Sequence, residues 1–231
     1  MNIAIVGATG NVGRKTLEVL EQKKLPIDKL YLVASPKSRG KKIEFNGKDH
    51  EVCNLETFDF SKAEITFFAA GGKIAEQYAL KAAKHTTVID NSSFFRMDPD
   101  VPLIVPQVNS EAITNMKKNI IANPNCSTAQ LVIVLKPLHD LFSIERIVVS
   151  TYQSVSGGGK APMDELIEQT KNFLDNKKIE PENFTKQIAF NAIHHIDIYT
   201  ESGYTKEELK MANETKKILD KKIELTATCV R

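Results

Sequence analysis

The chain has 231 residues, with 31 Lys and Arg against 29 Asp and Glu and a formal net charge of +2 at pH 7. That balance, with 42% apolar residues and no basic block, argues against nucleic acid as the main partner and describes an ordinary globular protein of one large or two smaller domains. No apolar run has the length of a bilayer span, and the glycine-bound start is too short for a signal peptide. The three cysteines, Cys53, Cys126 and Cys229, are too scattered for a disulfide framework or a metal-ligand set, so the expectation is a cytoplasmic protein with free thiols, no metal and no membrane.

Asn2 to Val6 reads as a short apolar strand, followed by Gly7-Ala8-Thr9-Gly10-Asn11-Val12-Gly13 and a helix from about Asn11 to Lys23. Strand, glycine turn and helix in that order are the context of a dinucleotide fingerprint, here spaced GxxGxxG rather than GxGxxG. Gly7 permits the tight turn, Gly10 lets backbone approach a pyrophosphate, and Gly13 allows helix and strand to pack closely. Thr9, Asn11 and Val12 fill the same turn. An ordinary glycine-rich turn is the competing reading.

The second strand, Lys29 to Ala34, bears on the choice of dinucleotide. An Asp or Glu at its end would bind the ribose 2′-hydroxyl of NAD. The chain instead continues Ser35-Pro36-Lys37-Ser38-Arg39-Gly40, whose hydroxyls and cations suit a 2′-phosphate. NADP(H) is the expected cofactor, with a basic surface loop as the alternative.

Lys41 to Cys53 alternates like a hairpin. Ile65 to Ala70 and Thr87 to Asp90 read as strands around a helix from Ile74 to Ala83, with Leu103 to Pro106 and Asn119 to Ala122 as further strands. The whole is a doubly wound, Rossmann-like α/β domain over residues 1–124. Asn123-Pro124-Asn125-Cys126-Ser127-Thr128 then puts a cysteine where an apolar helix, Ser127 to Leu141, begins. The first helical turn carries unpaired N–H groups and the positive end of the dipole, so a thiolate formed there is stabilised and becomes a usable nucleophile.

Residues 125–231 read as a second, α+β domain. It has a β-rich run from Glu145 to Gln153, a glycine loop at 156–159, a helix from Met163 to Phe173 and a strand from Lys186 to Phe190. A helix follows the cap-like Tyr204-Thr205-Lys206-Glu207-Glu208 and runs to Asp220, and a final strand starts at Glu224. Basic residues are overwhelmingly lysine; the five arginines are Arg14, Arg39, Arg96, Arg146 and Arg231. Such a bias points to arginine being kept where a planar, bidentate guanidinium is needed.

The motifs GATGxVG (7–13), SPKSRG (35–40), NSSxFR (91–96), NPNCST (123–128), TYQSVSGGG (151–159), AFNAI (189–193), GYTKEELKM (203–211), ETKKI (214–218) and ATCVR (227–231) occur in an order and spacing that together resemble the aspartate-β-semialdehyde dehydrogenase family. The resemblance covers essentially the whole chain. It implies NADPH-dependent reductive dephosphorylation of L-4-aspartyl phosphate to the semialdehyde, a step toward lysine (through diaminopimelate), threonine and methionine. It further implies that Cys126 is the nucleophile and that Gln153 orients the acyl intermediate. By the same resemblance Arg96, Asn125 and Lys217 (with Glu214 three residues earlier) meet substrate and inorganic phosphate, and Arg231 clamps the substrate carboxylate. Ser156 and Gly157 lie beneath the nicotinamide, and the protein is a homodimer or tetramer. His194 stands where the family has proline, and no role follows for it or for His195. The family's acid/base histidine follows the substrate arginine, which implies a cut chain with little activity of its own. N-acetyl-γ-glutamyl-phosphate reductase and a non-catalytic NADP-binding pseudoenzyme are the alternatives.

Overall fold

Strands β1 (Asn2–Val6), β2 (Lys29–Ala34), β3 (Lys42–Phe45), β4 (Lys48–Asn54), β5 (Ile65–Phe68), β6 (Thr87–Asp90) and β7 (Ile120–Ala122) form one sheet in the order β3-β4-β2-β1-β5-β6-β7. Each neighbouring pair is parallel except the β3–β4 hairpin. The hairpin turns at Asn46-Gly47, both at positive φ, as a two-residue turn between twisted strands requires. This computed structural model describes residues 1–231. It divides into one unit of Met1–Ile133 with Lys217–Leu219 and another of Val134–Lys216 with Asp220–Arg231.

The first unit is organised by β1. Ile3, Ala4, Ile5 and Val6 are all buried, and the period of two sends Ala4 and Val6 to one face and Ile3 and Ile5 to the other. On one face Ala75, Ala79 and Ala82 of α2 (Gly72–Ala82) complete the core. On the other, Leu17 and Leu20 of α1 (Asn11–Lys23) do so. Each buried Ile, Val or Leu among these contributes roughly 1.5–3 kcal/mol of burial, and each alanine about 0.8 kcal/mol.

Two expected strands are absent. Leu103 to Pro106 makes only a single bridge, Leu103 to Ala122. Pro102 and Pro106 have no N–H to give a ladder. Val105 N instead donates to Asn109 Oδ1 at 2.9 Å, and Asn109 Nδ2 donates to Leu103 O at 2.9 Å; Asn109 closes the short helix α3 (Pro106–Asn109). The Lys186 to Phe190 segment also forms no strand. The buried Gln169 Oε1 accepts from the N–H groups of Ile188 and Ala189 at 2.8 and 3.2 Å, and Phe190 adopts a φ of 57°. A side-chain amide thus takes the place of a partner strand.

The expected boundary at residue 124 is displaced. The division falls inside α4 (Cys126–Phe142), because Ala129 and Val132 on its first turns pack into the core of the first unit. Cys126 therefore belongs with the sheet. The second unit contains the parallel pair β8 (Arg146–Tyr152) and β9 (Glu224–Val230), with α5 (Lys160–Leu174) and most of α6 (Lys206–Ile218). A capping box starts α6: Thr205 N donates to Glu208 Oε2 at 2.8 Å, and Glu208 N donates to Thr205 Oγ1 at 3.3 Å. No helix is long and apolar enough to cross a membrane.

Candidate active site

At the C-terminal end of β1 the chain turns at Gly7, whose φ is 88°. A Cβ on Gly7 would lie 2.7 Å from Ala69 O, and one on Gly13 would lie 2.3 Å from Gly7 O. Both positions are closed to any side chain by backbone that cannot retreat. Gly10 is different: a Cβ there meets only Gly7 O at 3.4 Å. It is the N-cap of α1 and supplies no side-chain cap, and the first turn of α1 holds no acid. The turn thus presents neither a capping side chain nor a carboxylate to a ligand anion, which would meet bare backbone at Gly10. Thr9 is half-buried beside this turn, and Asn11 and Val12 are exposed on it.

The segment after β2 is a 3-10 turn, Pro36–Ser38, with Ser35, Lys37 and Arg39 exposed and Ser38 half-buried. Arg39 borders a cavity of about 400 Å³ together with Tyr31, Glu51 and Cys53. Turn, bare cap and cationic loop stand at the carboxyl ends of adjacent strands, where open α/β sheets bind ligands. These residues fit a dinucleotide.

Cys126 is the first residue of α4 and is exposed. Asn125 caps the helix: its Oδ1 accepts from Ser127 N at 2.9 Å, while its backbone O accepts from Ala129 N at 2.9 Å. The loop ahead of the cysteine is held from the neighbouring strand. Asn123 N donates to Asp90 O at 2.8 Å, and Asn123 Nδ2 donates to Asn91 Oδ1 at 3.0 Å. Arg96 joins the same two loops, with Nε on Asn123 O at 2.9 Å and Nη2 on Asn91 O at 3.1 Å. Below it Asp90 is fully buried and accepts from Ser92 N at 2.9 Å and Ser92 Oγ at 2.7 Å. Burial pushes the Asp90 carboxyl above its usual range, against the pull of Ser92 and Arg96.

Lys217 does not stand as an open phosphate grip. Its ammonium donates to the backbone carbonyls of Arg96, Asp98 and Val101 at 2.8, 2.7 and 2.8 Å. Three donors meet three acceptors, which leaves no proton for an anion. Burial lowers this lysine below its ordinary value, with Asp98 pulling the other way. Glu214, expected beside it, is 2% exposed and offers no solvent-facing carboxylate.

In the second unit, Gln153 continues β8, its N–H donating to Val230 O at 2.8 Å. Its side-chain Nε2 lies 3.4 Å from both Thr151 Oγ1 and Glu207 Oε1. Glu207 in turn meets Lys210 Nζ at 3.3 Å, and Lys210 pairs with Asp197 at 2.8 Å. Burial alone would lower Lys210, but Asp197 and Glu207 hold it above the ordinary value. The sequence places Glu207 only in the cap-like start of α6 and gives Lys210 no role of its own. The signal was present, since α6 carries two Glu-x-x-Lys pairs, and spacing could not say which one faces Gln153.

His194 has a defined role. Its Nε2 lies 2.8 Å from Glu208 Oε1, which also accepts from Cys229 N at 3.0 Å. Burial would raise Glu208, but its donors from Thr205, His194 and Cys229 bring it below the usual value. The carboxylate thus ties helix α6, strand β9 and the His194 segment together. His195 stacks on Tyr199 at 4.7 Å. Ser154 Oγ accepts from Ser156 N at 3.2 Å, at the start of a 3-10 turn through Gly157. Arg231 shares both backbone groups with Ile193, and its Nε is buried without a hydrogen-bond partner.

Residues 2–116 match the family model for the semialdehyde dehydrogenase NAD binding domain, and residues 135–231 match that for the semialdehyde dehydrogenase dimerisation domain. The aspartate-semialdehyde dehydrogenase of Vibrio mimicus is 52% identical over 233 residues, an alignment covering 100% of this chain and 74% of that protein. A crystal structure of aspartate semialdehyde dehydrogenase II from Vibrio cholerae, complexed with ASA, superposes with a TM-score of 0.97 at 52% identity and covers 100% of this chain and 69% of that one. The Candida albicans enzyme with NADP superposes at 0.69 with 26% identity, over 100% of this chain and 67% of that one. With both of its family models matched and 52% identity to a relative over all of its residues, this chain belongs to the aspartate-semialdehyde dehydrogenase family of oxidoreductases.

Proposed function

We propose that the protein carries out NADPH-dependent reductive dephosphorylation of L-4-aspartyl phosphate to L-aspartate 4-semialdehyde, in the cytoplasm, on the route to lysine (through diaminopimelate), threonine and methionine. The observation that carries the reading is Cys126, exposed as the first residue of α4 behind the Asn125 cap, in a chain of this family. In this reading the Cys126 sulfur attacks the acyl carbon, the bond to the phosphate oxygen breaks, and inorganic phosphate leaves from a thioester on Sγ. The dinucleotide supplies, when bound, the hydride that brings the acyl carbon to the aldehyde level. Collapse then breaks the carbon–sulfur bond and returns the thiol.

The chain's own residues position and neutralise. The bare Gly10 cap receives pyrophosphate, and Ser35, Lys37, Ser38 and Arg39 receive the 2′-phosphate. The lack of an acid after β2 supports NADP over NAD, as does the NADP held by the Candida relative. Arg96 and Asn125 fix the loop before Cys126, and Arg231 takes the substrate carboxylate. Gln153 gives up one of its long 3.4 Å contacts, to Thr151 or Glu207, to donate its amide to the developing oxyanion without titrating.

Dimerisation through the second unit is supported by the matched dimerisation domain and by Val148, Tyr152, Leu141 and Phe142, exposed at 71, 86, 75 and 74%.

The test is phosphate-dependent reduction of NADP by the semialdehyde, followed by nicotinamide absorbance, with NAD as comparison. Turnover that needs phosphate, prefers NADP and vanishes in Cys126→Ser supports the reading. Turnover that survives Cys126→Ser overturns it.

A further inference from the structure

Gly157 is not a glycine for backbone reasons. Its φ is outside the left-handed region that Gly159 occupies at +96°, so an alanine could adopt the same backbone. What a side chain would meet is Arg231: a Cβ on Gly157 would lie 2.6 Å from Nη2 and 3.5 Å from Cζ, and one on Gly158 would lie 3.4 Å from Nη1. The guanidinium therefore rests on a two-glycine bed.

The other end of the arginine is fixed. Arg231 N donates to Ile193 O at 3.0 Å and Ile193 N donates to Arg231 O at 2.6 Å. Nε is buried and makes no hydrogen bond within the protein. The side chain borders a cavity of about 550 Å³, shared with Gly158, Lys160, Phe184 and Ile193. With its backbone pinned and its stem buried, the part of Arg231 that yields to a new methyl group is the charged tip.

We infer that Gly157 is a positioning residue for the substrate carboxylate: by presenting no side chain, it lets the Arg231 guanidinium settle at the height from which its fork meets a carboxylate. The inference rests on the reading of Arg231 as the carboxylate grip. It assigns Gly157 to the substrate arginine rather than to support of the nicotinamide. A bidentate guanidinium–carboxylate contact demands fixed geometry, so a shift of the tip by about 1 Å is enough to lose much of it.

The experiment is a double-mutant cycle on the 231-residue chain, with dissociation constants for L-aspartate 4-semialdehyde and, separately, NADPH measured by calorimetry. Gly157→Ala is expected to weaken the semialdehyde about tenfold, leave NADPH unchanged and keep the thermal midpoint of the wild type. In an Arg231→Lys background, which lacks the colliding Nη2, the same substitution is expected to have no further effect. Should Gly157→Ala fail to fold, Gly158→Ala carries the test with a smaller shift; its Cβ falls 3.0 Å from Pro162 Cγ as well. Wild-type semialdehyde affinity in Gly157→Ala, loss of NADPH instead, or an equal effect in both backgrounds overturns the inference. Arg231→Ala binding the semialdehyde as tightly as wild type removes the carboxylate reading itself, a separate result.

Discussion

Lys217 and Arg231 are both cations that the sequence assigns to anion binding, yet the molecule commits them differently. The Lys217 ammonium is saturated by the carbonyls of Arg96, Asp98 and Val101, and so holds the segment after β6 to the end of α6. Arg231 keeps a buried Nε with no partner and lays its fork over glycine. A cation whose donors are all satisfied by backbone contributes to the fold, whereas Arg231 borders a cavity and is the one proposed to meet a ligand. Arg96 stands between them, with Nε and Nη2 joining two loops.

The contrast is broken most forcefully at Lys217. Lys217→Met leaves carbonyls without a donor and is expected to cost about 3 kcal/mol of stability, read as a denaturant midpoint. A variant as stable as wild type but unable to bind phosphate would reverse the assignment. Arg231→Ala is expected to behave oppositely: roughly a hundredfold loss of semialdehyde affinity, or about 2.7 kcal/mol, with little change in thermal midpoint.

Glu208 sharpens the comparison from the structural side. Its carboxyl is held below the usual 4.5 by its donors, so between the folded and unfolded values the unfolded chain binds more protons and stability rises with pH. The contribution is complete above about pH 4.5 and is lost as pH falls through the folded value. Glu208→Gln is expected to flatten this acid limb and to lower stability at neutral pH by about 1–2 kcal/mol, through the weakened capping box and the His194 contact. An unchanged acid limb in urea titrations across that range would count against it. The smallest effect is expected at Glu207. Its 3.4 Å contact to Gln153 is long, and Glu207→Gln should change turnover by no more than about fivefold, or ~1 kcal/mol.

Most of the first unit was legible because its signals are local. β1, α1 and β2 coincide with the apolar run, the glycine turn and the strand that follow from pattern alone. Gly7 and Gly13 were placed by the turn chemistry that the structure shows, with Ala69 and Gly7 carbonyls in the way of any Cβ. Cys126 at a helix start was equally local. What failed was long-range substitution of one partner by another. Gln169 bonding the backbone of Ile188 and Ala189, and Asn109 bonding that of Val105 and Leu103, replace ladders that an apolar run leads one to expect.

The same limit explains the residues expected at anion sites. Glu207-Lys210 and Glu214-Lys217 have identical spacing on one helix, and only tertiary partners separate them: Gln153 for the first, backbone carbonyls for the second. His194 could be read only once Glu208 and Cys229 N were seen around one carboxylate. Gly157 looked like a turn residue or a nicotinamide support, because nothing in the local sequence reports that Arg231 folds down onto it.

Acylation of Cys126, the step proposed for the nucleophile, does not depend on complete turnover. The direct measurement is the intact mass of the chain after brief exposure to L-4-aspartyl phosphate without NADPH. A mass gain of one aspartyl group is expected, placed on Cys126 by peptide mapping, removed by hydroxylamine and absent in Cys126→Ser. A chain that gains no mass, or gains it equally in Cys126→Ser, rules out Cys126 as the acylated nucleophile.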